Sequence, residues 1–140
     1  MKDKLLRIID ANLNRSREGL RVCEDISRFL LDDKELTNKF KTLRHSVSKV
    51  GEAVGIEALC KSRDVLRDVG LRNDVPLGKK STAFDIAASN IERAKESMRV
   101  IEECLKVVDG KNSALIKNLR YKTYESEKKL INKLAALRNT

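Results

Sequence analysis

The 140-residue chain has no tryptophan, one proline, one histidine and three cysteines, and only 4% of its residues are aromatic. Each shortage excludes something. One His beside Cys23, Cys60 and Cys104, with no CxxC pair, argues against a Cys/His zinc site, and three thiols cannot all pair within one chain. Reduced thiols are expected, with Cys23 and Cys104 on apolar helix faces. A single Pro and six Gly beside 36% charged residues favour a largely helical protein. No apolar run approaches the roughly 18–20 residues of a membrane span. The N-terminal MKDKLLRIIDANLNR is interrupted by charges too often for a secretory segment, so a cytoplasmic protein is expected. GxxxxGK[ST], GxGxxG after a strand, HExxH and GxSxG are all missing, and with them the usual nucleotide-fold and hydrolase signatures.

What is present is charge. Thirty Lys and Arg against twenty-one Asp and Glu give +9, a balance that suits an anionic partner. The basic residues are interleaved with acids, as in EDISR and SEKK, and form no long block. Excess charge alone does not choose among nucleic acid, an acidic membrane and a phosphorylated small molecule.

The chain also repeats itself. Residues 10–25 read DANLNRSREGLRVCED, and residues 88–103 read ASNIERAKESMRVIEE. At about 100° per residue, Leu5, Ile8, Ile9, Gly19, Leu20, Cys23, Ile26 and Leu30 form one helix face, with Asp10, Arg17, Arg21 and Arg28 opposite. DDKE at 32–35 supplies an Asp N-cap, and Leu36, Phe40, Leu43, Val47, Val50 and Val54 continue as a second stripe. The second half follows suit. Thr82 caps a helix carrying Ile86, Ala87, Ile91, Ala94, Met98, Ile101, Cys104, Leu105 and Val108. Gly110 is the expected C′ residue, and Ile116, Leu119, Leu130, Ile131, Leu134 and Leu137 line the last helix, whose IKNLRY echoes FKTLRH at 40–45. One amphipathic hairpin cannot bury its own apolar face, but two can bury theirs against each other. The expectation is a single all-α domain over 1–140. It is a four-helix bundle of two tandem related hairpins, about 1–61 and 82–138, joined by a long crossover loop at 62–81.

Some polar residues fall on the apolar stripe. Asn12 lies at its centre with Arg15 beside it, and Asn90 and Arg93 repeat them. A buried amide or guanidinium without partners costs several kcal/mol, roughly. Either an inter-helix network fixes bundle register, or the residues line a ligand cavity, for which small residues at Gly19 and Ser97 would leave room. Arg44 and Arg120 correspond across the repeat. Glu127 and Tyr124 lie near Arg120, and an Arg120–Glu127 ion pair is the simple account. Glu18, Arg21 and Glu24, repeated as Glu96, Arg99 and Glu102, read as helix-surface ion pairs. His45 and its counterpart Tyr121 face away from the stripes. The crossover loop is longer than most connections and is read as functional. In it Asp64 and Asp68 with Gly70 could hold Mg²⁺, and Lys79 and Lys80 could meet phosphate.

Taken in order, IDANLNRSREGLRVCEDISRFLLDD, LRH, SRDVLRDVG, NIERAKESMRVIEE and LRYKTYESEK resemble one family over about residues 8–128. It is the small helical hydroxymethylpyrimidine phosphate kinase family, found alone or fused ahead of thiamine-phosphate synthase. The resemblance implies an ATP- and Mg²⁺-dependent phosphotransferase making the pyrimidine diphosphate of thiamine biosynthesis. On that reading Arg15, Arg44, Arg93 and Arg120 offset repulsion between two phosphates. Asn12, Asn90, Tyr124 and Arg63 hold substrate, and Lys79, Lys80 and Gly70 hold nucleotide. Asp64 and Asp68 hold the metal. The alternative is a non-catalytic module that binds a thiamine-pathway phosphate or docks on the synthase. Interleaved acids and few aromatics disfavour a nucleic-acid-binding domain, no membrane partner is expected, and a homo-oligomer is compatible with the pattern.

Overall fold

The computed structural model describes residues 1–71, 79–80 and 82–138, and the regular structure among them is all helical. The expected crossover loop is thus described only at its ends, since residues 72–78 and 81 lie outside the described residues. Helix α1 (Lys2–Asp25) runs into a π-helical turn (Ile26–Leu30). Then come α2 (Lys34–Val54), the short α3 (Ile56–Ser62), α4 (Ala83–Val108) and α5 (Gly110–Arg138). None of these helices is long and apolar enough to cross a membrane.

The stripes bury as their spacing dictates, with Ile9, Leu13 and Leu20 of α1, Phe40 and Val47 of α2, Ile91, Met98 and Ile101 of α4, and Ile116 and Leu130 of α5 in one core. The departures have local causes. Leu31 N–H donates to the Ile26 carbonyl, 3.1 Å, a five-residue step that adds one residue to the turn and rotates the stripe. Leu30, expected inside, is therefore 52% exposed, and Leu31 packs on the core instead. Asp32 then takes a left-handed φ of +50°, which Asp tolerates better than most residues. Asp33 is the α2 cap, accepting from Leu36 N–H at 2.9 Å. Gly55, at φ +114°, ends α2 and turns the chain into α3, a backbone that only glycine adopts without strain.

Leu59 of α3 joins the core, and Arg63 returns to α1, donating to both carboxylate oxygens of Asp10 at 2.8 Å. Asp10, expected on the polar face, is thereby buried. Ile8, Ile86 and Leu137 are exposed rather than buried; the last two stand in the terminal turns of α4 and α5, where the stripe outruns its partners. Thr82 caps α4 as expected, accepting from Asp85 N–H at 3.2 Å. Gly110 is the first residue of α5 rather than a left-handed C′ residue.

Helix α1 packs on α2, α3 and α4, while α5 closes against α4 and α2. Contact is close where α1 crosses α4. A Cβ on Gly19 would stand 2.5 Å from the Asn90 carbonyl oxygen and 3.4 Å from the Ala94 Cβ. Ser16 and Ser97, both buried, share a 2.6 Å hydrogen bond there. Gly19 serves this contact, which corrects the expectation that its missing side chain leaves room for a ligand.

Candidate functional site: a groove with two arginines

Beside that crossing, α1 and α4 border a groove of about 740 Å³ that brings together Asn12, Arg15, Arg93 and Ser97, with Glu92 and Glu96 on its α4 wall. Three of the four repeated polar residues thus meet at one surface. Asn12 is buried. Its amide donates to the Ile8 carbonyl at 2.9 Å, and its Oδ1 accepts from Arg15 at 3.3 Å. Asn90 makes the matching bond to Ile86, 2.9 Å, but lies outside the groove's lining.

The two arginines are the groove's unspent donors. The Arg15 guanidinium has only its bond to Asn12, and the Arg93 guanidinium makes no hydrogen bond or ion pair among the described residues. Glu92 is already held by Lys95, which also bonds Glu127 at 3.0 Å. Burial works against the Lys95 charge, but those two carboxylates hold its pKa above the usual lysine value. Two exposed guanidinium forks over a partly polar groove suit a phosphate, which each can bind with paired N–H donors.

Arg44 and Arg120 do different work. Arg44 donates Nε and Nη2 to the two oxygens of Glu24, 2.9 and 3.4 Å. Arg120 donates to Glu102 at 3.2 Å and to the Tyr124 hydroxyl at 2.7 Å. Its guanidinium also lies 5.2 and 5.7 Å from the Tyr121 and Tyr124 ring centroids. Its buried Nε has no hydrogen-bond acceptor among the described residues. Glu24 is therefore a buried partner across helices rather than part of a surface pair, Glu102 makes both the cross-helix pair and the expected pair with Arg99 at 3.0 Å, and Glu127 belongs to Lys95 rather than to Arg120. One signal was available: Glu24/Glu102 and Arg44/Arg120 both recur, so a complementary pair recurs with them.

Three of the loop residues share one cleft. Asp64 and Asp68 face a cleft of about 410 Å³ with Asp10, Glu18 and Arg63. Their carboxylates, however, cap their own turn: Asp64 accepts from Arg67 N–H at 3.3 Å and Asp68 from Gly70 N–H at 2.8 Å. Among the described residues no three His, Cys, Asp or Glu side chains group to hold a metal ion. Arg63 is engaged with Asp10, and Lys79 and Lys80 are exposed. The expectation of a metal-dependent kinase is corrected on this ground. Among the described residues no metal-holding cluster accompanies the α1–α4 groove.

Fold and charge together define a small, basic domain whose described regular structure is all helical. The ThiD2 family matches residues 7–129, and the chain belongs to that family. It is 35% identical over 136 residues to a thiamine-phosphate synthase of Rhodopirellula baltica, covering 95% of this chain and 36% of that protein. A thiamine-phosphate synthase of Synechocystis is 36% identical over 130 residues (91% and 36% covered). One of Thermosynechococcus vestitus is 37% identical over 128 (91% and 35%). The chain thus spans about a third of the length of these relatives. No solved structure matches it.

Proposed function

We propose that this chain is a cytoplasmic binding module of the thiamine pathway that holds hydroxymethylpyrimidine phosphate in the α1–α4 groove and works beside thiamine-phosphate synthase. The observation that carries the reading is the pair of unspent guanidiniums, Arg15 and Arg93, over one groove. Similarity to part of several thiamine-phosphate synthases supports the pathway and the partner. The same reading takes residues 1–140 as one domain of two related hairpins, α1 with α2 and α4 with α5. Supporting it, the Asn12 and Asn90 bonds match in kind and length, and the Glu24–Arg44 and Glu102–Arg120 pairs recur in the two halves. ATP with Mg²⁺ enters as a second polyanion for the same two arginines.

Calorimetric titration with hydroxymethylpyrimidine phosphate tests the reading. Losing one charge-assisted hydrogen-bonding partner is worth about 1.5–3 kcal/mol. Arg15→Ala and Arg93→Ala should each weaken binding about tenfold or more, and Arg93→Lys should lose part of that because it keeps charge without the fork. Wild-type affinity in both alanine variants would refute the groove as the site. Titration with ATP and Mg²⁺, and with purified thiamine-phosphate synthase, measures the two remaining partners directly.

A further inference from the structure

Beside its two free forks, the α1–α4 groove carries a free acid. Glu92 and Glu96 both stand on its α4 wall. Glu92 is bonded to Lys95, but the Glu96 carboxylate makes no hydrogen bond or ion pair among the described residues. The arginines one turn away do not claim it. Arg99 is engaged by Glu102 and Glu103, at 3.0 and 3.7 Å, and the Arg93 guanidinium is unpaired among the described residues. The groove's other side-chain oxygens are occupied. Asn12 Oδ1 accepts from Arg15, the Ser89 hydroxyl donates to the Ile86 carbonyl at 3.3 Å, and the buried Ser97 hydroxyl is shared with Ser16. The repeat does not account for the acid either. Glu18, the counterpart of Glu96 in the first half, lines the cleft beside Asp10 and Arg63 instead.

On a helix, residues three and four apart lie side by side, with roughly 5–6 Å between Cβ atoms. Arg93, Glu96 and Val100 follow that spacing along the groove wall, and Val100 is 38% exposed. A phosphate held by Arg15 and Arg93 therefore has a like charge close by. Such charges repel even in water, and more strongly in a groove that excludes part of it. An N–H donor on the same ligand reverses the sign, because the carboxylate then gains a charge-assisted hydrogen bond. Val100 offers an apolar surface to the ring that carries the donor.

Resting on the groove reading above, we propose that Glu96 is a specificity-determining residue of the α1–α4 groove. Its carboxylate accepts from the ring amine of the bound aminopyrimidine phosphate, and so selects phosphate monoesters that bear a ring N–H donor. A site built to hydrogen-bond an N–H disfavours the analogue that lacks it.

The test compares two ligands by calorimetric titration into the full chain. One is hydroxymethylpyrimidine phosphate. The other is benzyl phosphate, which keeps a ring, a methylene and a phosphate but has no N–H. Wild type should prefer the first. Glu96→Ala should cut that preference about tenfold, as expected for one lost charge-assisted hydrogen bond. Glu96→Gln keeps a neutral acceptor and should cut it by less. Glu96 is exposed, and circular dichroism checks that both variants stay folded. No preference in wild type, an undiminished preference in Glu96→Ala, or equal weakening of both ligands would each overturn the proposal. The groove reading fails separately. Arg15→Ala and Arg93→Ala should weaken both ligands alike, since both carry the phosphate. If those variants keep wild-type affinity, the groove is not the site and Glu96 has no ligand to select.

Discussion

Gly19→Ala tests the close contact between α1 and α4. The added methyl group would stand 2.5 Å from the Asn90 carbonyl oxygen and 3.3 Å from the Ala94 backbone nitrogen. The first distance is far inside van der Waals contact, and the obstacle is helix backbone, which cannot swing aside as a side chain can. Taken alone, Gly→Ala inside a helix favours folding by about 0.8–1.0 kcal/mol. Forcing an extra group into a packed contact costs about 1–3 kcal/mol, occasionally more. Here the upper end applies, because α1 and α4 must part and stretch the 2.6 Å Ser16–Ser97 bond. A net loss of about 1–2 kcal/mol remains. For a chain of this size that lowers Tm by roughly 3–8 °C, read by thermal circular dichroism and checked by urea denaturation. If Gly19 instead faced open space, helix propensity would act unopposed and Tm would rise. An unchanged or higher Tm would refute the close crossing and restore the idea of a cavity at that position.

Two further predictions rest on buried groups. Glu102→Ala leaves the Arg120 charge buried without its carboxylate, and removing one partner of such a pair costs about 3–5 kcal/mol. Arg93→Ala should stay within about 0.5 kcal/mol, as for surface changes away from special features, and urea melts compare the two. The Cys23 thiol is pushed up to about 12, first by burial and then by the nearby Glu127 charge. Above about pH 9 the unfolded chain ionises this thiol while the folded chain keeps it protonated. Stability should therefore fall with rising pH, by about 1.4 kcal/mol per unit for this group. Cys23→Ala should flatten that slope relative to wild type, and equal slopes would show that Cys23 ionises freely in the fold.

Helical spacing was enough to find the stripes, because burying one face of each helix is the dominant requirement and it leaves a period in the residues. It placed Phe40, Val47, Met98 and Ile116 inside, where they lie. It misplaced Leu30 because a wheel assumes uniform turns, and the π-helical turn breaks that assumption. It misread Asp10 because the covering Arg63 arrives from 53 residues away, and a wheel knows nothing of other segments. Asn12, Arg15 and Arg93 were legible as a group because the repeat marks them. The role of Gly19 was not, since a missing side chain looks the same whether it admits a ligand or a neighbouring helix.

The repeat carries arginines of two kinds, and their surroundings rather than their recurrence separate them. Arg44 and Arg120 point at buried carboxylates one helix away, so each, half-buried at Arg44 and buried at Arg120, is matched and committed to holding α2 on α1 or α5 on α4. Such pairs contribute little net stability when intact but are costly to break, and so act as register devices. Arg15 and Arg93 stand at the rim of the α1–α4 crossing, solvated and without carboxylate partners among the described residues, and can turn to an anion without giving up a bond that the fold needs. The two kinds are mechanically linked, because the register fixed by the buried pairs sets the spacing of the two free forks. Breaking a buried pair should therefore weaken ligand binding only as far as it shifts a helix. Removing a free fork should weaken binding with the helices left in place.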